Sequence, residues 1–132
     1  MNYRIMKFNQ KGDDRGHLVI VEGLVDIPFE IKRIFYIYGS DAHVIRGNHA
    51  NRRSEFVLIN VSGKSKVKVN DGHKVEVIEL NEPHMGIYLP KMIWKEMYDF
   101  STDSVLLVLA SEIYDADEYI RDYEAYQKEV NL

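Results

Sequence analysis

The chain of 132 residues contains no cysteine, which removes disulfides, thiolate metal ligands and a cysteine nucleophile together. It has only three prolines and eight glycines, with no Ser/Gly-rich or low-complexity stretch. Nothing marks a linker, so one domain over residues 1–132 is expected. Long hydrophobic runs are missing too. The longest uncharged apolar stretch, Val105 to Ala110, is far too short to span a bilayer. The N-terminal MNYRIMKFNQKGDD lacks the apolar centre of a secretory leader. Basic charge is scarce: 17 Lys and Arg against 21 Asp and Glu leave a net charge of −4. That argues against a nucleic-acid footprint, yet a few arginines suffice to hold one phosphorylated ligand. A cytoplasmic protein with neither nucleic-acid nor membrane partners is the expectation.

What the chain does have is apolar content, 45% of residues, enough at this length for a single core without covalent staples. Short β-rich runs recur between turn-forming residues: His17–Val21, Ile31–Tyr38, Ser54–Val61, Ser65–Val69, Lys74–Glu79, Gly86–Leu89 and Val105–Ala110. Turns fall at Gly12-Asp13-Asp14, Gly39-Ser40-Asp41, Ser62-Gly63-Lys64 and Asn70-Asp71-Gly72, where Gly and Asn accept the positive φ of tight hairpins. Many short antiparallel strands in so small a chain hide their edges best in a jelly roll of two antiparallel sheets, an all-β fold. The end differs. From Asp115 to Leu132 an acidic start and tyrosines at 119, 123 and 126 predict a C-terminal helix.

Two segments mix charge with apolar side chains. In Ile31–Tyr38, extended geometry puts Arg33 on a face with Phe35 and Ile37, either lining a polar cavity or snorkelling at the rim. In Arg46–Glu55, extended geometry stacks His49, Asn51, Arg53 and Glu55 on one face, which suits either water or a ligand-filled interior. Arg46-Gly47 just before it allows the backbone and a guanidinium to approach a phosphate. Small β-barrels often hold a divalent ion with a His-x-His pair, a nearby Glu and a later His. Here the second His is Asn51 and the later position is Lys95. Two remaining ligands are too few for a catalytic metal, so no metal and no cofactor are expected. The histidines at 17, 43, 73 and 84 stand alone and are assigned nothing. Imidazole, carboxylate, phenol and amine remain for chemistry, and His49 among Tyr, Arg and Glu is suited to moving a proton beside a carbonyl. No Gly-x-Ser-x-Gly elbow and no phosphate-cradling Gly-rich loop is present.

The residues Arg15-Gly16-x-Leu18-Val19, Ile27-Pro28-Phe29-x-Ile31-Lys32-Arg33, Arg46-Gly47-x-His49-Ala50, Asp71-Gly72, Trp94-x-Glu96-Met97-x-Asp99-Phe100-Ser101 and Tyr119-Ile120-Arg121-Asp122-Tyr123 occur in this order. Together they resemble the cupin-fold sugar 3,4-ketoisomerases, over nearly the whole chain. The resemblance implies a cupin jelly roll with a short C-terminal helix, working as a homodimer with an exchanged N-terminal strand. It also implies a TDP-linked 4-keto-6-deoxy sugar as substrate and a place in making 3-amino-3,6-dideoxy sugars for surface glycans. Three family positions differ here: a tyrosine is Phe35, a histidine is Asn51, and another histidine is Lys95.

The resemblance implies His49 as the base that takes the C3 proton, Asn51 as a partner of the sugar oxygen or of His49, and Tyr36 or Lys95 as stabilisers of the enediolate. Arg33 and Arg46 are expected on the diphosphate, with Arg15, Arg53 and Trp94 completing the substrate-binding set and Trp94 as a wall for the base. Two other readings of the same pocket are a TDP-sugar-binding subunit without isomerase chemistry and an epimerase on the same substrate.

Overall fold

A computed structural model describes residues 1–132. Twelve strands precede one helix: β1 (Arg4–Lys7), β2 (Gln10–Asp13), β3 (Gly16–Val19), β4 (Arg33–Tyr38), β5 (Arg46–Asn51), β6 (Phe56–Ser62), β7 (Ser65–Asn70), β8 (Val75–Leu80), β9 (Met85–Leu89), β10 (Trp94–Tyr98), β11 (Val105–Ala110), β12 (Tyr119–Ile120) and α1 (Tyr123–Val130). They form two five-stranded antiparallel sheets, ordered β1-β9-β6-β11-β4 and β12-β5-β10-β7-β8, with β2-β3 as a separate hairpin. This is the two-sheet cupin jelly roll.

Apolar patterning explains which strands lie at the centre. Phe56-Val57-Leu58-Ile59 is apolar at every position because β6 is covered on both faces. Phe56 and Leu58 point between the sheets with Ile87, Leu106 and Val108, and meet Val67, Val69 and Met97 of the other sheet. Val57 and Ile59 point outward under Phe8, Ile27 and Phe29, brought over them by the chain around β3. No helix is long and apolar enough to cross a membrane.

The C-terminal segment departs from expectation. Instead of one helix from Asp115, it makes a 3-10 turn at Ala116–Glu118, then β12 paired with β5, then α1 over only eight residues. Two aspartates divide it: the Asp115 carboxylate accepts from the Asp117 amide, and that of Asp122 accepts from the Ala125 amide. Each satisfies a free amide at a helix start, so Asp122 begins the helix and leaves Tyr119 outside it. Helix α1 is seated by Tyr126, fully buried against Trp94, Ala50 and Ile120, with its hydroxyl 2.7 Å from the Met92 carbonyl. Strands β1, β2 and β10 were not expected, since polar residues interrupt their alternation.

Candidate active site

Strand β5 carries Arg46 and His49 three residues apart, which in regular extended geometry places them on opposite faces. The structure puts both on the wall of one cavity of about 300 Å³. A bulge makes this possible. Lys95 of β10 pairs with His49 while the next residue, Glu96, pairs with Gly47, so Asn48 is the unpaired extra residue. Gly47 and Asn48 take φ of 91° and 57°. A side chain at Gly47 would bring its Cβ to 2.9 Å from the Lys95 carbonyl oxygen, so only glycine lets β10 lie this close.

The floor and walls are apolar, with Phe35, Phe56, Leu58 and Met97, and the polar groups are Arg46, His49, Lys95 and Arg121. No carboxylate lines the cavity. Lys95 is 4% exposed, donates to Asn51 Oδ1 at 3.2 Å, and holds its Nζ 4.6 Å from the centre of the Phe56 ring. Burial pulls its pKa down to about 7, with the Glu118 carboxylate working the other way. Burial likewise pulls His49 down to about 3, reinforced by the charges of Lys95, Arg121 and Arg33, while the Asn51 side chain opposes the shift. At neutral pH the imidazole is therefore unprotonated and the amine is divided between its two forms.

Arg33 stands on the same face of β4 as Phe35, its guanidinium carbon 5.3 Å from the centre of that ring. Its Nη1 donates to the Tyr119 hydroxyl at 3.3 Å, while its Nε and Nη2 are buried without partners. His49 Nδ1 and Asn51 Nδ2 are also buried and unpartnered. Four polar atoms on these three side chains are thus unsatisfied, and a polar ligand would supply partners. Glu118 is buried just beyond the end of β5, where its carboxylate accepts from the Arg53 and Ser54 amides and the Ser54 hydroxyl. Burial works against its ionisation, and these hydrogen bonds outweigh it, leaving the carboxyl below the ordinary glutamate range. No group of three His, Asp or Glu side chains gathers at metal-ligating distance.

Of the residues expected here, the structure brings together His49, Asn51, Lys95, Arg33 and Arg46, and leaves four apart. Tyr36 borders the cavity only from β4, its ring on the outer face, 61% exposed and stacked on Tyr38. It shares that face with Ile34 because it is one residue out of phase with Arg33. Trp94 is likewise out of phase with Lys95 and packs against Tyr123 and Tyr126 under α1. Arg53 lies beyond the end of β5, so the expected four-residue face stops at Asn51, and its guanidinium pairs with Asp115 at 2.7 Å. Arg15, at the tip of the β2-β3 hairpin, pairs with Asp13 at 2.6 Å and is far more exposed than buried. Arg121 and Tyr119 reach the site and were not expected there. The cap residue Asp122 is the clue in the sequence that both precede the helix.

Comparison with known proteins follows the same outline. The family model described as FdtA: WxcM-like, C-terminal matches residues 1–131. A curated protein of Aneurinibacillus thermoaerophilus, TDP-4-oxo-6-deoxy-alpha-D-glucose-3,4-oxoisomerase, is 40% identical over 128 residues, covering 97% of this chain and 92% of its own. A 3,4-ketoisomerase from Helicobacter canadensis superposes with a TM-score of 0.97 at 46% identity, over 99% of this chain and 98% of that one. A histidine-to-asparagine variant of the 3,4-ketoisomerase from Thermoanaerobacterium thermosaccharolyticum, in complex with TDP-4-keto-6-deoxyglucose, superposes with a TM-score of 0.96 at 42% identity, over 98% and 94%.

Proposed function

The chain belongs to the FdtA family, WxcM-like, C-terminal, and we propose from that premise that it converts TDP-4-keto-6-deoxyglucose into a TDP-3-keto-6-deoxyhexose. It is an isomerase of the 3,4-ketoisomerase class. The observation that carries the reading is the pair formed by an unprotonated His49 and a buried Lys95, facing each other in a cavity that has several cations and no carboxylate on its wall.

The pair matches what the reaction requires. His49 takes the proton from C3, the electron pair of that bond forms the C3–C4 double bond, and the carbonyl pair moves onto O4. The Lys95 ammonium donates its proton to O4. The resulting amine then takes the proton from the O3 hydroxyl, the carbonyl forms at C3, and the imidazolium returns its proton to C4. One proton leaves C3 and one reaches C4; one leaves O3 and one reaches O4. Nothing is oxidised overall, so the chemistry requires no redox partner.

An amine titrating near 7 is matched to both halves of its task. Its charge stands where the enediolate develops, in a site of low polarity where electrostatic stabilisation is strong. The unpartnered Nδ2 of Asn51 is available to a sugar oxygen. Arg33, Arg46 and Arg121 supply donors for the diphosphate, guanidinium being the group best shaped for phosphate oxygens.

The working unit in this reading is a homodimer. Edge strand β4 exposes Ile34, Tyr36 and Tyr38 in a row, a face that a second copy would cover. Strand β1 pairs with β9 within one chain, and exchange of the N-terminal strand would make the same pairing between copies. The reading is tested by incubating TDP-4-keto-6-deoxyglucose with the protein and reducing with borodeuteride. Label at C3 of the recovered sugar is expected; label only at C4 overturns the reading.

A further inference from the structure

Tyr119 touches both Arg33 and His49. Strand β12 sets it directly opposite Asn51. Its ring lies on the His49 imidazole with centroids 4.8 Å apart and planes at 58°. Its hydroxyl accepts from Arg33 Nη1, and the Arg121 guanidinium sits 4.6 Å from the ring centre. The Tyr114 ring supports it from another side at 5.7 Å.

Both neighbours have buried nitrogens that hydrogen bonding leaves without partners. His49 Nδ1 is buried without a hydrogen-bond partner. A metal ligand or catalytic imidazole ordinarily has its second nitrogen oriented by a carboxylate or carbonyl. For His49 the only such group is the Asn51 amide, whose Oδ1 is already taken as acceptor by Lys95. Arg33 has one hydrogen-bonded nitrogen and two unpartnered ones, and its guanidinium carbon lies 5.3 Å from the centre of the Phe35 ring and 5.6 Å from that of Tyr114, so the bond to Tyr119 is the one directional contact that sets its rotation.

We propose that Tyr119 is a positioning residue: its ring fixes the plane of the His49 imidazole by contact, alongside Asn51, and its hydroxyl fixes the Arg33 guanidinium for the ligand's diphosphate. The inference rests on the isomerase reading and adds a division of labour within one phenol. The ring acts on the base, and the hydroxyl acts on the anion site. Misplacement of a reacting group by an ångström is enough to cost two orders of magnitude in rate. A hydrogen bond to a charged group that sets a binding geometry is worth about tenfold in affinity.

The experiment separates the two parts with Tyr119→Phe and Tyr119→Leu, using TDP titration and the two-bond proton–nitrogen spectrum of the imidazoles. His49 is identified there by its absence from His49→Asn. Tyr119→Phe is expected to weaken TDP binding about tenfold and leave the His49 nitrogen shifts where they are in the wild type. Tyr119→Leu is expected to weaken TDP equally, move the His49 shifts toward the average of two tautomers, and lower kcat about a hundredfold.

Unchanged TDP affinity in Tyr119→Phe, or unchanged His49 shifts in a folded Tyr119→Leu, overturns the proposal. Should Tyr119→Leu fail to fold, a cycle with Arg33→Met decides: the double variant with Tyr119→Phe binds TDP no more weakly than Arg33→Met alone, whereas additive losses overturn the coupling. None of the binding and nitrogen readouts depends on turnover. A wild-type protein without isomerase activity thus refutes the functional reading by itself, and the role of Tyr119 is decided separately.

Discussion

Lys95 and His49 occupy paired positions on adjacent strands, a buried amine across from a buried imidazole, with Asn51 hydrogen-bonded to the amine. Burial holds the proton affinity of both down, and the Lys95 charge lowers that of His49 further, because two cations cannot share a cavity of low polarity without cost. The result is an imidazole poised as a base and an amine poised as an acid. Two groups whose environments set their pKa values apart are the arrangement that acid/base chemistry needs at neutral pH.

That arrangement fixes a pH profile. With the proposed roles, kcat/KM of the free enzyme needs unprotonated His49 and protonated Lys95, so it is expected to fall on the alkaline side near pH 7 and on the acid side near pH 3. Lys95→Arg moves the alkaline limb out of range, since guanidinium keeps its proton, at a lower plateau rate. An alkaline limb that stays near 7 in Lys95→Arg would remove Lys95 from the reaction.

His49→Asn is expected to lower kcat by about a thousandfold, the scale of a lost general base. The TDP dissociation constant should change by less than about threefold, because the imidazole acts on the sugar. Parallel steady-state kinetics and TDP titration check this, and a matching loss in both would mean that His49 binds rather than reacts.

Arg46→Ala should act the other way, raising the TDP dissociation constant about tenfold or more. Arg46 reaches the cavity only through the bulge at Gly47 and Asn48. Gly47→Ala therefore predicts a similar loss, since its Cβ would press on the Lys95 carbonyl. Calorimetric titration of both variants with TDP measures it.

Burial of Lys95 also sets the stability of the fold. An unfolded chain binds the lysine proton below about pH 10.5 and the folded chain only below about 7, so stability contributed here falls as pH drops through that interval. His49 adds a second loss as pH falls from 6.5 toward 3. Lys95→Met is expected to abolish the activity and to stabilise the fold at pH 7 by about 1–4 kcal/mol, as replacing a buried charge by an apolar side chain does. Melting curves at pH 7 and 9.5 check it: the gain should shrink at the higher pH.

Much of the fold is legible in the sequence where both faces of a strand are buried. Phe56–Ile59 and Val105–Ala110 read as strands because every position is apolar. Strand β10 is not legible, because its inward residue Lys95 is a charge that only the finished cavity makes sense of. The site is legible where residues sit in regular alternation, as His49 and Asn51 do. Arg46 joins them through a one-residue bulge that no alternation announces. Trp94 and Tyr36 were misplaced by the same rule: each is one residue from an inward position, and a period of two sends it to the other face. Tyr119 and Arg121 were hidden by tyrosines whose spacing is helical by coincidence, two of them belonging to α1 and one to β12.

The central claim is the removal of the C3 proton by His49. Proton NMR of TDP-4-keto-6-deoxyglucose in deuterated buffer, with wild-type protein and with His49→Asn, follows that hydrogen directly. The account predicts loss of the C3 signal and appearance of a 3-keto sugar with the wild type, and a persistent C3 signal with the variant. A C3 hydrogen that survives in the presence of wild-type protein saturated with the substrate would contradict it.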